Sequence, residues 1–189
     1  MKTLTIDVVS DVVCPWCYVG KRRLEAALAS WAVEHPDITP VVQWHTFQLN
    51  PDMAAEGVAR EDYVRAKFGD RADSIYGRVA SVGAEVGIAF AFDRIARQPN
   101  TIVPHSLIAA CPPGQAQDQM VETLFQGYFL EGRDLTDAAH LLELAERAGL
   151  SRETAEQVLQ DSTLHSQIID SDQAAREMGI TGVPFFIFN

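Results

Sequence analysis

The stretch that decides the fold of this chain lies near its start and reads Val13-Cys14-Pro15-Trp16-Cys17-Tyr18-Val19-Gly20-Lys21. Pro15 suits the first position of a helix, where its missing N–H is not needed and its fixed φ is already helical. The stretch therefore predicts a helix that begins directly after Cys14. Cys14 and Cys17, at i and i+3 on its first turn, can bring their sulfur atoms within disulfide range.

At the start of a helix these two thiols have different environments. Cys14 occupies the N-cap position, where unpaired N–H groups and the positive end of the helix dipole stabilise a thiolate. Cys17 falls on an apolar stripe with Leu24 and Leu28, where burial disfavours the charged form. We expect Cys14 to be the exposed nucleophile and Cys17 the resolving thiol. The basic run Lys21-Arg22-Arg23 is expected to add a smaller, solvent-screened positive contribution.

The segments around this helix predict an α/β unit. Residues 4–9 and 41–47 read as strands, and the connection between them is long enough for a parallel, right-handed βαβ unit. A further helix over 164–178 precedes a third strand over 183–188. Pro184, at the start of that strand, stands where a cis-proline would expose the backbone of Val183 to an extended substrate. An ordinary trans-proline at a strand start is the alternative.

The middle of the chain differs from both ends. Helical periodicity recurs between Gly and Pro residues in five segments, 61–68, 74–86, 115–130, 136–148 and 151–160. We therefore predict that residues 1–51 and 161–189 form one domain, into which residues 52–160 are inserted as an all-helical domain. The sequence stops on an aromatic-rich strand that leaves an apolar edge, so a further strand and helix are expected after Asn189.

Composition excludes several functional classes. The chain has 189 residues, 47% of them hydrophobic, and carries 26 acidic against 15 basic residues, for a net charge of −11. Such acidity disfavours nucleic acids and anionic membrane surfaces as partners. Asp7 and Asp11 interrupt any apolar segment near the start, so no signal peptide is predicted and a cytoplasmic location is expected.

Other readings of the cysteine pair are a half zinc site or two structural thiols. Cys111 and His105 are the only loose candidates for completing a zinc site, and their spacing fits none of the usual patterns. We predict no metal and no cofactor beyond the redox-active disulfide. Cys111 itself is interpreted as a small buried hydrophobic residue, with a regulatory thiol as the other reading.

The quoted stretch resembles the DsbA-like thiol–disulfide oxidoreductases, and within them the FrnE-type branch. Supporting motifs are Phe47-Gln48-Leu49-Asn50-Pro51, Asn100-Thr101-Ile102-Val103-Pro104-His105 and Gly179-Ile180-Thr181-Gly182-Val183-Pro184-Phe185-Phe186. Pro104 departs from the alanine that the family often has before the histidine. The resemblance implies a thioredoxin-like fold interrupted by a helical domain, with the redox site at their junction. It also implies exchange with protein or small thiols, and glutathione is a candidate substrate.

The expected site residues follow from these motifs. Cys14 and Cys17 are assigned to catalysis, and the residues expected to contact substrate are Pro15, Trp16, Val183 and Pro184. Candidates near the site are Asp7, Asn100 and His105. Asp7 either takes a proton from Cys17 beneath the site or faces solvent at the strand edge. His105 either lies near the thiol or is a helix-start residue at the domain interface.

Two functions compete with thiol–disulfide exchange. One is a glutathione-dependent isomerase or transferase, because 2-hydroxychromene-2-carboxylate isomerases and kappa-class glutathione transferases look alike in fold and motifs. Those relatives generally have Ser where this chain has Cys14, so the cysteine pair argues against that reading. The other is a redox-sensing or client-binding adaptor that uses the groove around Pro184 without turnover.

Overall fold

The computed structural model describes residues 2–189 and contains, within them, five strands and eight α-helices. The strands are β1 (Lys2–Ser10), β2 (Ile38–Thr46), β3 (Val58–Ala59), β4 (Arg97–Gln98) and β5 (Phe185–Phe188). The helices are α1 (Pro15–Glu34), α2 (Arg60–Phe68), α3 (Ala72–Glu85), α4 (Ile102–Ala109), α5 (Gln115–Phe129), α6 (Ala138–Arg147), α7 (Arg152–Gln160) and α8 (Ser162–Glu177). The chain is thus a mixed α/β protein with a small sheet and a large helical region.

The main sheet has the strand order β2-β1-β5. β1 and β2 run parallel, from Lys2 opposite Ile38 to Ser10 opposite Thr46, and α1 makes the crossover between them. This arrangement confirms the predicted βαβ unit. β5 pairs antiparallel with the other side of β1. The expectation of a further strand and helix after Asn189 stays a prediction.

The helical region contains one helix that the periodicity does not reveal. α4 is buried around most of its circumference, so its sequence shows no alternation between an apolar and a polar face. Pro104 suggests a break, but it lies in the first turn, where no backbone N–H donor is required. α4 packs against α5, α7 and α8 at the centre of the region, and it carries His105 toward the sheet.

The sequence suggested an all-helical region between 52 and 160. This expectation is wrong, because the region also contains two short strands. β3 and β4 form a short antiparallel pair in which Val58 lies opposite Gln98 and Ala59 opposite Arg97. Two-residue strands lack the alternating pattern by which a strand is recognised, so they leave no signal in the sequence. The domain boundaries at 51/52 and 160/161 stay a prediction.

Two apolar clusters hold the elements together. The larger one joins β1, α1 and the helical region, and it contains Ile6, Val8, Cys14 and Cys17 together with much of α5. The smaller one packs Val9 of β1 and Phe47, directly after β2, with Ala175 of α8 and Ile180, which follows α8. The redox cysteines therefore lie inside the core at the junction of sheet and helices. Within residues 2–189, no helix is both long enough and apolar enough to cross a bilayer.

Candidate active site

The loop after β1 places Cys14 at the start of α1, as the sequence predicts. The backbone N–H of Cys14 donates a hydrogen bond of 3.0 Å to the carbonyl of Asp11, which turns the chain into the helix. Cys14 has extended backbone angles (φ −94°, ψ 109°) and is the N-cap, and Pro15 follows at the first helical position. The free N–H groups and the dipole of the first turn therefore surround the Cys14 thiol.

The Cys14 thiol faces the loop that leads into β5. Its Sγ lies 3.7 Å from the backbone carbonyl oxygen of Val183. The peptide bond between Val183 and Pro184 is cis, as expected from the sequence. Two segments 169 residues apart are thus brought into direct contact at the sulfur atom.

The expectation that Cys14 is exposed is wrong for this conformation. Its side chain is only 4% exposed, because the apolar loop residues Val12 and Val13 and the Val183 loop pack around it. Trp16, between the cysteines, is 37% exposed, and Pro15 is half-buried. Trp16 is therefore the most exposed residue of the segment from Cys14 to Cys17.

Cys17 is the more deeply buried thiol, at 1% exposed. Burial raises its pKa well above the ordinary value, and the adjacent Cys14 thiol raises it further. Hydrogen bonding from the Ser10 side chain and the Asp11 backbone acts in the opposite direction but does not cancel the effect of burial. Cys14 and Cys17 are both free thiols in this structure. Cys17 therefore holds its proton at neutral pH and must lose it before it can attack a disulfide.

A groove opens beside the pair. It is formed by the face of α1 from Trp16 to Leu24 and by Pro184, Phe186 and Phe188, and its volume is about 380 Å³. Phe188 is 62% exposed and leaves an apolar wall along the edge strand. Of the four residues assigned to substrate contact, Trp16 and Pro184 line this groove, Val183 contacts Cys14, and Pro15 follows Cys14 in the chain. Their roles stay predictions.

His105 lies close to the redox loop. Its Nε2 is 3.3 Å from Oδ1 of Asp11, and the two side chains are 3% and 0% exposed. Oδ2 of Asp11 accepts a 2.7 Å hydrogen bond from the backbone N–H of Leu49. Asp11 and His105 therefore form a buried carboxylate–imidazole pair, and its aspartate lies three residues before Cys14 in the chain. The sequence analysis did not assign Asp11 to the site, because no local pattern shows that α4 will face it.

The other two near-site candidates bond elsewhere. Asp7 contacts His45 Nε2 at 2.7 Å through one oxygen and accepts from the side-chain amide of Asn189 at 2.7 Å through the other. Asn100 donates to the carbonyl of Met53 and accepts from the N–H of Ile102, so it shapes the loop before α4. Neither contact set includes a cysteine, and the structure does not bring these residues to the redox pair.

Two residues of the basic run on α1, Lys21 and Arg22, form ion pairs within the protein. Lys21 is 2% exposed, and its Nζ lies 2.9 Å from Asp118 and 3.3 Å from Glu122 on α5. Glu25 also pairs with Lys21, and Arg22 pairs with Glu122. Burial opposes the charge on Lys21, but the carboxylates outweigh it and raise the pKa of the ammonium. Lys21 and Arg22 therefore join α1 to α5, because Asp118 and Glu122 pair with them, whereas Arg23 is exposed.

Cys111 lies apart from the pair. It is 6% exposed, and its Sγ donates to the carbonyl of Leu107 at 3.3 Å. Burial raises the pKa of this thiol. Within residues 2–189, no cluster of three or more His, Cys, Asp or Glu side chains has the geometry to hold a metal ion. Cys111 is a buried core residue, as interpreted from the sequence.

The sequence profile described as "DSBA-like thioredoxin domain" matches residues 5–189. The chain belongs to the DSBA-like thioredoxin domain family. Its fold is accordingly the thioredoxin-like fold with a helical insertion that the motifs implied, and its family is that of DsbA-like thiol oxidoreductases. The narrower assignment to the FrnE-type branch stays a prediction.

Relatives of this DSBA-like domain have varied descriptions. The chain is 26% identical over 98% of its length to the Bacillus subtilis (strain 168) protein YwbO, described as uncharacterized, and covers 86% of that protein. It superposes with a TM-score of 0.84 on a probable DsbA oxidoreductase, SCO1869 from Streptomyces coelicolor, at 28% identity over 98% of this chain and 80% of that one.

More distant structures share the fold. A 2-hydroxychromene-2-carboxylate isomerase superposes with a TM-score of 0.72 at 15% identity, over 98% of this chain and 85% of that one. The cytosolic disulfide reductase DsbM from Pseudomonas aeruginosa superposes with a TM-score of 0.62 at 20% identity, over 96% and 83%. At these identities the likeness concerns the fold alone.

Proposed function

We propose that this DSBA-like domain exchanges a Cys14–Cys17 disulfide or dithiol with protein or small-thiol substrates. The observation that carries the proposal is the position of the Cys14 sulfur, at a helix N-cap and 3.7 Å from the carbonyl of Val183. A thiolate there is stabilised by the helix dipole. The buried Cys17 one turn further on supplies the second sulfur of a redox pair.

The first step in the reductive direction is attack by Cys14. Its thiolate sulfur displaces one sulfur of a substrate disulfide, which leaves as a thiol after taking up a proton, and the other sulfur becomes bonded to Cys14. The backbone of Val183 lies beside this sulfur and can pair with an extended substrate segment. Trp16 and the groove of α1 and β5 contact the neighbouring apolar side chains of the substrate.

The second step is attack by Cys17 on the mixed disulfide. Cys17 loses its proton, its sulfur bonds to that of Cys14, and the substrate sulfur leaves with the electron pair. The substrate disulfide is thereby reduced by two electrons while the cysteine pair is oxidised. In the oxidative direction the same steps run in reverse.

The partners follow from this chemistry. The substrates are disulfides or thiols in proteins or small molecules, and the reaction requires no cofactor besides the cysteine pair. The cytoplasm is the compartment that we propose for the reaction, and the structurally similar DsbM is described as a cytosolic disulfide reductase. Glutathione is one small thiol that could return the oxidised pair to the dithiol.

Insulin reduction by dithiothreitol tests the proposal. The wild-type protein is expected to accelerate the reaction, and Cys14→Ser is expected to abolish the acceleration. Cys17→Ser is expected to accumulate a mixed disulfide with substrate, detectable by mass spectrometry. Cys111→Ser is the matched control and should keep full activity, because Cys111 lies in the core away from the pair. Wild-type activity in Cys14→Ser would refute the proposal.

A glutathione-dependent isomerase or transferase is the second candidate, supported by the likeness in fold to the 2-hydroxychromene-2-carboxylate isomerase. Such a reaction activates the sulfur of glutathione and needs no second cysteine. Cys17→Ala separates the two functions. Loss of dithiol exchange in this variant supports the oxidoreductase, whereas glutathione-dependent isomerisation of 2-hydroxychromene-2-carboxylate that survives the substitution supports the isomerase.

A further inference from the structure

The resolving step requires a proton acceptor that solvent does not readily supply. Cys17 is 1% exposed, and burial raises the pKa of its thiol. Asp7, the acceptor considered from the sequence, bonds instead to His45 and Asn189. Hydrogen bonding with the Cys14 thiol, the Ser10 side chain and the backbone of Asp11 affects the pKa of the Cys17 thiol.

A small cavity borders Ser10. Its volume is about 20 Å³, and Ser10, His45, Thr46 and His105 contribute polar groups to its lining, with mostly apolar side chains around them. A volume of this size accommodates one water molecule, and polar groups on its wall can hydrogen-bond such a molecule. Ser10 thus borders both the Cys17 thiol and the cavity that His105 lines.

His105 is held for proton uptake by Asp11. The carboxylate faces Nε2 of the imidazole at 3.3 Å, and the N–H of Leu49 fixes the other carboxylate oxygen at 2.7 Å. With its Nε2–H directed at a carboxylate, a neutral histidine has Nδ1 as its basic nitrogen.

We propose that His105, held by Asp11, receives the Cys17 proton through Ser10 and the cavity during resolution of the mixed disulfide. The inference rests on the proposed function. The Cys17 proton passes to Ser10 Oγ as the Ser10 proton passes to a water molecule in the cavity, and that water gives one of its own protons to the imidazole. The Cys17 sulfur then bonds to Cys14 Sγ, the bond from Cys14 to the substrate sulfur breaks, and the departing thiolate takes up a proton from solvent. His105 and Asp11 act through Ser10 and are positioning residues rather than catalytic ones.

Several other titratable groups surround the relay and contribute to its pH dependence. They are Cys14 and Cys17 at the start of α1, His45 on β2 with its partner Asp7 on β1, Tyr128 on α5 and Asp172 on α8 with its partner Arg176. Among the polar residues that line the cavity, His105 contacts Asp11 and Ser10 hydrogen-bonds with Cys17, so their substitution tests the path.

The experiment is a stopped-flow reaction of the reduced protein with excess 5,5′-dithiobis(2-nitrobenzoate), in a Cys111→Ala background. Attack by Cys14 releases one coloured thiol at a rate proportional to reagent. Attack by Cys17 releases a second in a first-order phase. Absence of that first-order phase in the parent protein would refute the proposed function itself, independently of the relay.

At neutral pH we expect His105→Gln and Ser10→Ala to slow the first-order phase about 100-fold and to leave the second-order phase at the parent rate. The lost rate should return as pH rises, because hydroxide replaces the relay, so the variants should show a steeper pH profile than the parent. Asp11→Asn, which can still accept from Leu49, should fall between them and the parent.

Two results would overturn the relay. One is a parent-like first-order phase at every pH in folded His105→Gln and Ser10→Ala, with folding checked by circular dichroism. The other is a slowed phase that keeps the parent pH profile, which indicates a structural role alone. If His105→Gln does not fold, Ser10→Ala decides, because it removes only one hydroxyl oxygen.

Discussion

Gly20 of α1 lies directly against Pro184, so that a methyl group on residue 20 would stand 2.9 Å from Cγ of the proline. The same methyl group would lie 3.2 Å from Cζ of Phe186. These contacts are too close for carbon atoms in a packed interior, whose favourable separation is about 3.5–4.0 Å. The absence of a side chain at residue 20 therefore sets how closely the Val183 loop approaches the cysteines.

Gly20→Ala is expected to lower kcat/KM for insulin reduction by about 10- to 100-fold, because it pushes the loop of Pro184 away from Cys14. Gly77→Ala on α3 is the matched control, since a methyl group there meets nothing within 4 Å. The control should keep full activity and gain about 0.5–1 kcal/mol in the free energy of unfolding. Unchanged activity in Gly20→Ala would show that the loop tolerates the displacement.

Glu122 links α5 to α1, and its charge should make stability depend on pH. Burial acts to raise the pKa of this carboxyl, but hydrogen bonding from Arg22 and the charges of Lys21 and Arg22 lower it overall. A carboxyl whose pKa is lower in the folded than in the unfolded state stabilises the protein above the unfolded pKa of about 4.3. That contribution is lost as pH falls through the lower, folded value.

Glu122→Gln is therefore expected to reduce the free energy of unfolding at neutral pH by about 1–3 kcal/mol, because it leaves the buried Lys21 with one carboxylate fewer. The variant should also lose less stability than the wild type on acidification. Urea denaturation at neutral pH and at about pH 3 measures both effects. Glu34→Gln, at an exposed site on α1, should change neither quantity.

Asp7→Asn is expected to leave insulin reduction at the wild-type rate. The Asp7 carboxylate bonds to His45 and Asn189, and about 10 Å of strand separates residue 7 from Ser10, which contacts Cys17. Asp11→Asn, measured in parallel, removes the same charge from the position that contacts His105. The comparison therefore shows whether the position of the carboxylate decides the rate. A slower rate in Asp7→Asn than in Asp11→Asn would contradict this assignment.

Cys111→Ala is expected to keep full activity and to lower the free energy of unfolding by about 1 kcal/mol, because it removes one buried sulfur atom. Burial raises the pKa of the Cys111 thiol, so this group should react slowly with iodoacetamide in the folded protein at neutral pH. Mass spectrometry of labelled peptides from the wild type reports that rate. Rapid labelling of Cys111 would instead support a regulatory thiol.

Sequence reasoning recovered the elements whose signals are local. The parallel unit of β1, α1 and β2, and the start of α1 at Pro15, follow from short apolar runs and from the fixed φ of proline. It missed α4, because a helix buried on most sides has no polar face to reveal its period. It also missed the short pairing of Val58–Ala59 with Arg97–Gln98.

What the sequence alone determined is the spacing of Cys14 and Cys17 at a helix start, because residues i and i+3 meet within one turn whatever surrounds them. Only the tertiary structure buried Cys14 beneath the Val183 loop, enclosed Lys21 among acids of α5 and brought His105 to Asp11. The last two residues lie 94 positions apart. Their contact depends on how α4 packs against the sheet, and packing of that kind is the sum of many side-chain contacts that no local pattern records.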